Sequence, residues 1–315
     1  MADSNPILKS IRKSAGFRIA ILFGTFFIFL LLSSMISMKI EMFPGDKRTQ
    51  ILISSAIQCV LAFCIPAFIL ARFSSNNSIG WLHLTKAPPL KAIAGVILVY
   101  IVSMPAMEWL IEWNAGLHLP ESLSSLEQQF RRWEESGEAT TGIILDTHGW
   151  LSVIAGILVI GVLTGLSEEL FFRGGLQGIF SRTSIGKGTA VWVAAFIFSF
   201  MHFQFFGFVP RLLMGAFFGY LLVWTGSLWV PVFAHVLNNS MVVIAASLTG
   251  DANASILQQQ EIMEPGSSYV IIGSALLTAI ILLLWRDNIF RSSQKKRKTQ
   301  YSTWQRKRQT SVSER

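Results

Sequence analysis

Charge is scarce in this 315-residue chain. Only 14% of its residues are Asp, Glu, Lys or Arg, against about 25% in an average soluble domain. Apolar residues make up 52% and the mean hydropathy is +0.51. This shortage excludes a disordered chain, a fibrous chain and almost any water-soluble enzyme. Cysteine is nearly missing too. Cys59 and Cys64 stand five apart in one apolar run, off a common helix face, so the spacing supports neither a disulfide nor a metal pair. Tyrosine is rare, with 4 residues against 24 Phe and 10 Trp, a balance that suits a surface facing lipid. The chain has no His-Glu-x-x-His, the usual helix signature of zinc hydrolysis, and no repeat of fixed period.

What the chain does have is a series of apolar runs long enough to cross a bilayer. They fall at 19–36, 51–71, 92–113, 151–176, 189–208, 211–224 (short), 228–248 and 269–285. Pro105 is expected to kink the third. The first follows a basic N-terminus but lacks a small-residue cleavage pattern, so it reads as an uncleaved helix. The expected fold is all-α, a polytopic bundle of about eight transmembrane helices. Placing the N-terminus in the cytoplasm puts 20 Lys/Arg on the cytoplasmic side and 6 on the other, the bias expected for both termini inside.

Ten of the 26 Lys/Arg lie within 286–315, beside two acids, which leaves 16 of each sign elsewhere. The basic character therefore belongs to a tail, read as disordered and cytoplasmic, whose expected partner is anionic lipid and not nucleic acid. The organisation expected is a three-helix region at 1–113, an outer loop at 114–150, a core at 151–248, a loop and last helix at 249–285, and the tail at 286–315. The outer loop carries Ser124-x-x-Glu127, the pattern of a capping box. Leu126, Phe130 and Trp133 follow on one face, and Glu127 can pair with Arg131. This predicts an amphipathic helix on the outer membrane surface, or a lid over a site.

Ionisable groups inside apolar runs cost a few kcal/mol each and need a reason. Three clusters qualify. The first is Glu168-Glu169-Leu170-Phe171-Phe172-Arg173, where Glu169 and Arg173 stand one turn apart and can pair. Glu168 is left over about 100° around the helix, which suits a general base. It equally suits a helix end at the membrane surface. The second cluster is Phe198-x-x-x-His202. The third is His235-x-x-x-Asn239, a pair able to face one cavity or to clamp two helices. Gly161-x-x-x-Gly165 and Gly215-x-x-x-Gly219 permit close approach of these helices. A carboxylate, two imidazoles and an amide are the parts of a hydrolytic site.

Glu-Glu-x-x-x-Arg, Phe-x-x-x-His and His-x-x-x-Asn, in this order and each on an apolar run, resemble the CPBP family of intramembrane proteases. That family is also called the CAAX protease and bacteriocin-processing, or Abi, family. It includes prenyl-protein endopeptidases of the Ras-converting-enzyme type. The resemblance covers the core at 151–248. It implies an endopeptidase in which Glu168 activates water with help from His202. His235 and Asn239 would stabilise the oxyanion, and Glu169, Arg173 and Phe198 would support them. The family is often called a metalloprotease, so a divalent metal such as zinc, if present, would take Glu168, His202 and His235 as ligands; direct activation of water by Glu and His is favoured. The implied substrate is a membrane-associated peptide or protein, the implied location a bacterial cytoplasmic membrane, and the cavity is expected to open to the cytoplasm. The alternatives are a non-enzymatic membrane scaffold or bacteriocin self-immunity protein, and a transporter with a proton relay. The site reading also demands that the helix bearing Glu168 continue past Arg173 towards Gln177. Otherwise Glu168 would lie about 20 Å from the depth of His202.

Overall fold

Backbone polar groups must be satisfied within each segment in a bilayer, and the described spans of this chain do so with helices. The computed structural model describes residues 14–249 and 268–286, with no strand among them. The loop expected between residues 249 and 268 and the basic tail beyond Arg286 lie outside the described residues. The main helices are α1 (Ala15–Glu41), α2 (Lys47–Ser74), α3 (Leu90–Ala115), α4 (Ser124–Leu145), α5 (Trp150–Phe180), α6 (Lys187–Phe200), α7 (Phe208–Thr225), α8 (Trp229–Thr249) and α9 (Ser268–Arg286). Seven are long and apolar enough to cross a membrane, and the eighth apolar helix is the shorter α6. The protein is an all-α polytopic membrane protein.

Local chemistry sets the helix ends. The Ser14 hydroxyl accepts from Phe17 N at 3.2 Å and the Asp46 carboxylate from Thr49 N at 2.8 Å, each satisfying an orphan donor of the first turn. Gly226, at φ +66°, takes the left-handed position that closes α7. Pro105 sits within α3 without ending it.

Three expectations are corrected. The fifth apolar run ends as helix at Phe200, so His202 lies in the turn beyond α6. The next helix starts at Phe208, after a tight turn at Phe205–Gly207, and not at Arg211. The capping box does not form. A 3₁₀ turn at Glu121–Leu123 runs straight into Ser124, and Glu127 accepts instead from Leu119 N at 2.8 Å while pairing with Arg131 at 3.0 Å.

The helices alternate in direction, which defines two ends of the bundle. The proximal end holds the start of α1, the 75–89 connection, the 181–186 turn and the end of α9. The distal end holds α4, the 201–207 turn and the end of α8. Contacts at both ends agree: Arg182 Nη2 donates to Trp81 O at 3.0 Å proximally, and Arg48 Nε donates to Ile144 O at 2.8 Å distally.

Helix α5 is the axis of the bundle. It spans 31 residues and runs past Arg173 as the site reading demanded. Phe171 and Phe172 anchor it. Phe171 packs on Phe26 of α1 and Phe63 of α2 at 5.2 and 5.5 Å between ring centroids, and Phe172 meets Phe198 of α6 at 5.1 Å. Such pairs contribute roughly 0.5–1.5 kcal/mol each beyond area burial. Both glycine motifs sit at close crossings. A Cβ at Gly165 would lie 3.1 Å from the Val236 backbone N of α8, and one at Gly215 would lie 3.2 Å from Ala195 Cα of α6.

Candidate active site

Glu169 is the centre of the polar cluster. It is fully buried, and a buried carboxylate needs compensation. Its Oε1 accepts from Arg173 Nη1 at 2.8 Å, one turn along α5, and from His235 Nδ1 at 2.9 Å, across the interface with α8. Arg173 is 1% exposed at its side chain. Its Nη2 donates to Gly215 O of α7 at 2.9 Å, and its guanidinium lies 4.6 Å from the Phe198 ring centre. Glu169, Arg173, His235 and Gly215 thus tie α5, α7 and α8 together. Two wide π-helical stretches of α5, Ile157–Leu163 and Leu170–Gln177, flank the glutamates; such stretches recur at functional sites.

This clamp fixes His235. Its Nδ1 faces a carboxylate oxygen and so carries the proton, which leaves Nε2 free. That nitrogen stands 3.7 Å from Glu168 Oε2. The imidazole stacks on Phe218 at 5.0 Å and meets the edge of Phe198 at 6.0 Å. Phe198 also packs against the His202 ring at 4.9 Å, so it separates the two imidazoles. His202 Nδ1 donates to Phe198 O at 2.7 Å, which again leaves Nε2 available. Phe203 follows at φ +54°, a conformation that costs a bulky residue about 1–2 kcal/mol. Asn239 Nδ2 donates to Ile160 O at 3.1 Å, and its Oδ1 accepts from Asn238 at 3.2 Å.

The structure therefore gathers Glu168, Glu169, Arg173, His235 and Phe198 into one cluster, with His202 joined through Phe198. Asn239, one turn beyond His235, is anchored to α5. The proposed metal set is not gathered. Among the described residues, no three His, Cys, Asp or Glu converge as ligands. Both histidines bond through Nδ1, to Glu169 and to Phe198 O, and keep Nε2 open, the arrangement that metal-binding imidazoles share, but the Phe198 ring stands between them, so Glu168, His202 and His235 do not converge on one point.

Several neighbours were missed in the sequence. Phe218 and the Gly215 carbonyl belong to α7, which carried no motif beyond its glycines. Gln177 continues the polar stripe, donating to Gly219 O at 3.0 Å. Arg211 was counted as a loop cation. It is partly buried at the start of α7 and donates to Gln204 O and Oε1 at 3.1 and 3.0 Å.

A cavity of about 480 Å³ adjoins this cluster. His202, Phe203 and Gln204 form one wall and the Trp133–Thr141 part of α4 forms the other. It lies at the distal end, because α6 carries His202 away from the proximal end.

A membrane-spanning bundle built around buried carboxylates, two histidines and an arginine defines a polytopic protein with a hydrolase-like centre. Residues 150–241 match the family described as Type II CAAX prenyl endopeptidase Rce1-like, which supports the resemblance to the CPBP family of CAAX proteases. The chain is also similar to the uncharacterized protein YpbD of Bacillus subtilis (strain 168), 33% identical over 88 residues. That match covers 27% of this chain and 42% of the relative's length. No solved structure matches.

Proposed function

We propose that this protein is an intramembrane endopeptidase that hydrolyses a peptide bond of a membrane-associated protein or peptide. The observation that carries this reading is the pairing of Glu168 Oε2 with the free Nε2 of His235 at 3.7 Å, while Glu169 and Arg173 lock the opposite nitrogen. Glu168 takes a proton from water as the oxygen attacks the scissile carbonyl. The proton passes to the departing amine as the tetrahedral intermediate collapses. On its way to the amine the proton rests on the free Nε2 of His235, and the N–H so formed and the second N–H of Asn239 donate to the oxyanion, in a site walled by Phe198 and Phe218 where such bonds are strong. His202 Nε2 orients the attacking water. Both termini face the cytoplasm of a bacterial membrane, on the Lys/Arg bias, and the site draws on the outer side.

Replacing Glu168 by Ala tests this. The assay is turnover of a randomised pool of internally quenched peptides by the full chain in proteoliposomes. Loss of a general base is expected to cut turnover at least about 100-fold. Glu168 makes no hydrogen bond that holds two helices together, so folding should persist. Undiminished turnover in Glu168→Ala would refute the mechanism, and absence of turnover in the wild type would favour a scaffold.

A further inference from the structure

Helix α4 changes character along one stripe. Leu126, Phe130 and Trp133 occupy its first half, and Gly137, Thr140 and Thr141 continue the same face at i+4, i+7 and i+8 from Trp133. The apolar half is docked. Phe130 stacks on Phe205 at 4.0 Å, Arg131 lies 3.9 Å from the Phe206 ring centre, and Glu134 Oε2 accepts from Phe206 N at 3.2 Å. The second half carries glycine and short hydroxyl side chains, too small to fill the space above the 201–204 turn. The result is the cavity of about 480 Å³ beside His202, within the range of about 300–1,000 Å³ typical of ligand pockets.

We propose that this cavity is the subsite that receives the substrate chain next to the scissile bond, and that its occupant is an extended peptide segment with small side chains. This deepens the protease reading and rests on it. Three features favour a peptide over a lipid chain. The walls present hydroxyls from Ser136, Thr140 and Thr141 and the amide of Gln204, groups that pair with a peptide backbone. Thr140 Oγ1 already donates to Ser136 O and Gln204 Oε1 accepts from Arg211, each at 3.0 Å, but a lipid tail would cover the Ser136 and Thr141 hydroxyls without pairing them. His202 lines the cavity, so a chain lying in it meets the residue assigned to orient the attacking water. Gly137 packs directly against the Gln204 side chain, which itself holds Arg211. The width at that point is set by the missing Cβ.

The experiment fills the subsite. Thr140→Trp and Ser136→Trp would be compared with Glu135→Trp, whose position lies on the far side of α4. The full chain in proteoliposomes is given the quenched peptide pool, and the cleaved products are sequenced by mass spectrometry. The two filling variants should lower turnover at low peptide concentration at least tenfold, and Thr140→Ala should admit larger residues at one substrate position. Glu135→Trp should change neither. Unchanged rates and preferences in Thr140→Trp and Ser136→Trp, beside an active wild type, would overturn the subsite and leave the protease reading standing. A second measurement separates the two ideas. Thr140→Cys, in a chain whose Cys59 and Cys64 are replaced by Ala, is labelled with a maleimide with and without the peptide pool. Protection by the pool supports the subsite even if no peptide is cleaved, in which case the protease reading fails alone. No cleavage together with no protection overturns both.

Discussion

Glu169 and Arg173 are a paired charge whose two halves should not be equivalent under mutation. Arg173 cannot shed its proton, and its side chain is 1% exposed. In Glu169→Leu it is stranded with the Gly215 carbonyl. Breaking a buried pair this way costs about 3–5 kcal/mol. In Arg173→Leu, Glu169 keeps the Nδ1–H of His235 at 2.9 Å. The loss is then nearer that of one charged hydrogen bond, about 1.5–3 kcal/mol. At roughly 2–4 °C per kcal/mol, the melting point should fall by roughly 6–20 °C in Glu169→Leu and clearly less in Arg173→Leu. The double variant Glu169→Leu/Arg173→Met removes the orphan and should recover most of the loss, since apolar replacement of a whole pair is often neutral. Thermal unfolding of detergent-solubilised protein, followed by size-exclusion chromatography, measures all three. Turnover in the double variant should stay low even where stability returns, because His235 Nδ1 has lost its carboxylate. A double variant no more stable than Glu169→Leu would refute the reasoning, and so would equal losses in the single variants.

The α5–α8 crossing should be intolerant of side chains. Gly165→Val, built against the Val236 backbone, should cost about 1–3 kcal/mol in thermal unfolding, whereas Gly142→Ala, with open space around it, should be neutral or stabilising. Asn239→Ala separates anchoring from catalysis: loss of the bond to Ile160 O should cost about 1 kcal/mol of stability, while an oxyanion role predicts a fall in kcat of about 100–1,000-fold. A stability loss without a change in kcat would assign Asn239 to structure alone. Docking of α4 should depend on pH. Burial holds the Glu134 carboxyl above its ordinary value, against the opposing pull of the Phe206 N–H and the Arg211 charge. A raised acid binds its proton more tightly in the docked state, so docking is strongest below the ordinary value and weakens as pH rises through the raised one. Glu134→Gln should therefore protect α4 amides from hydrogen exchange at pH 8 relative to wild type and make little difference at pH 4. Equal protection at pH 8 would reject this.

The transmembrane class, the apolar helices and the paired Glu169 and Arg173 were legible because each depends on local composition or one-turn spacing. The continuation of α5 past Arg173 was legible only as a condition, from the depth that Glu168 needs to reach His202. What stayed hidden depends on long-range register. Nothing near Glu169 announces that it also takes His235, 66 residues away. The distal position of the cavity was hidden differently. Ending α6 at Phe200 instead of continuing to 208 moves His202 into a turn, and that boundary decides which end of the bundle the site approaches.

The register itself has a physical basis. Arg173 reaches Gly215 O and Gln177 reaches Gly219 O, both across 42 residues. Two polar residues four apart on α5 thus read two glycines four apart on α7. A glycine leaves its helix carbonyl uncovered, and a carbonyl that already accepts one bond within the helix has a second lone pair to offer. In hydrocarbon that second acceptor is the cheapest partner for a buried donor. The small-residue motif on α7 therefore does two things at once. It admits the close crossing with α6, and it supplies the oxygens that hold Arg173, through it Glu169, and through that the His235 ring. The orientation of a histidine on α8 is in this way set by glycines on α7, with the wide π-helical turn of Leu170–Gln177 bringing the reading side chains into line.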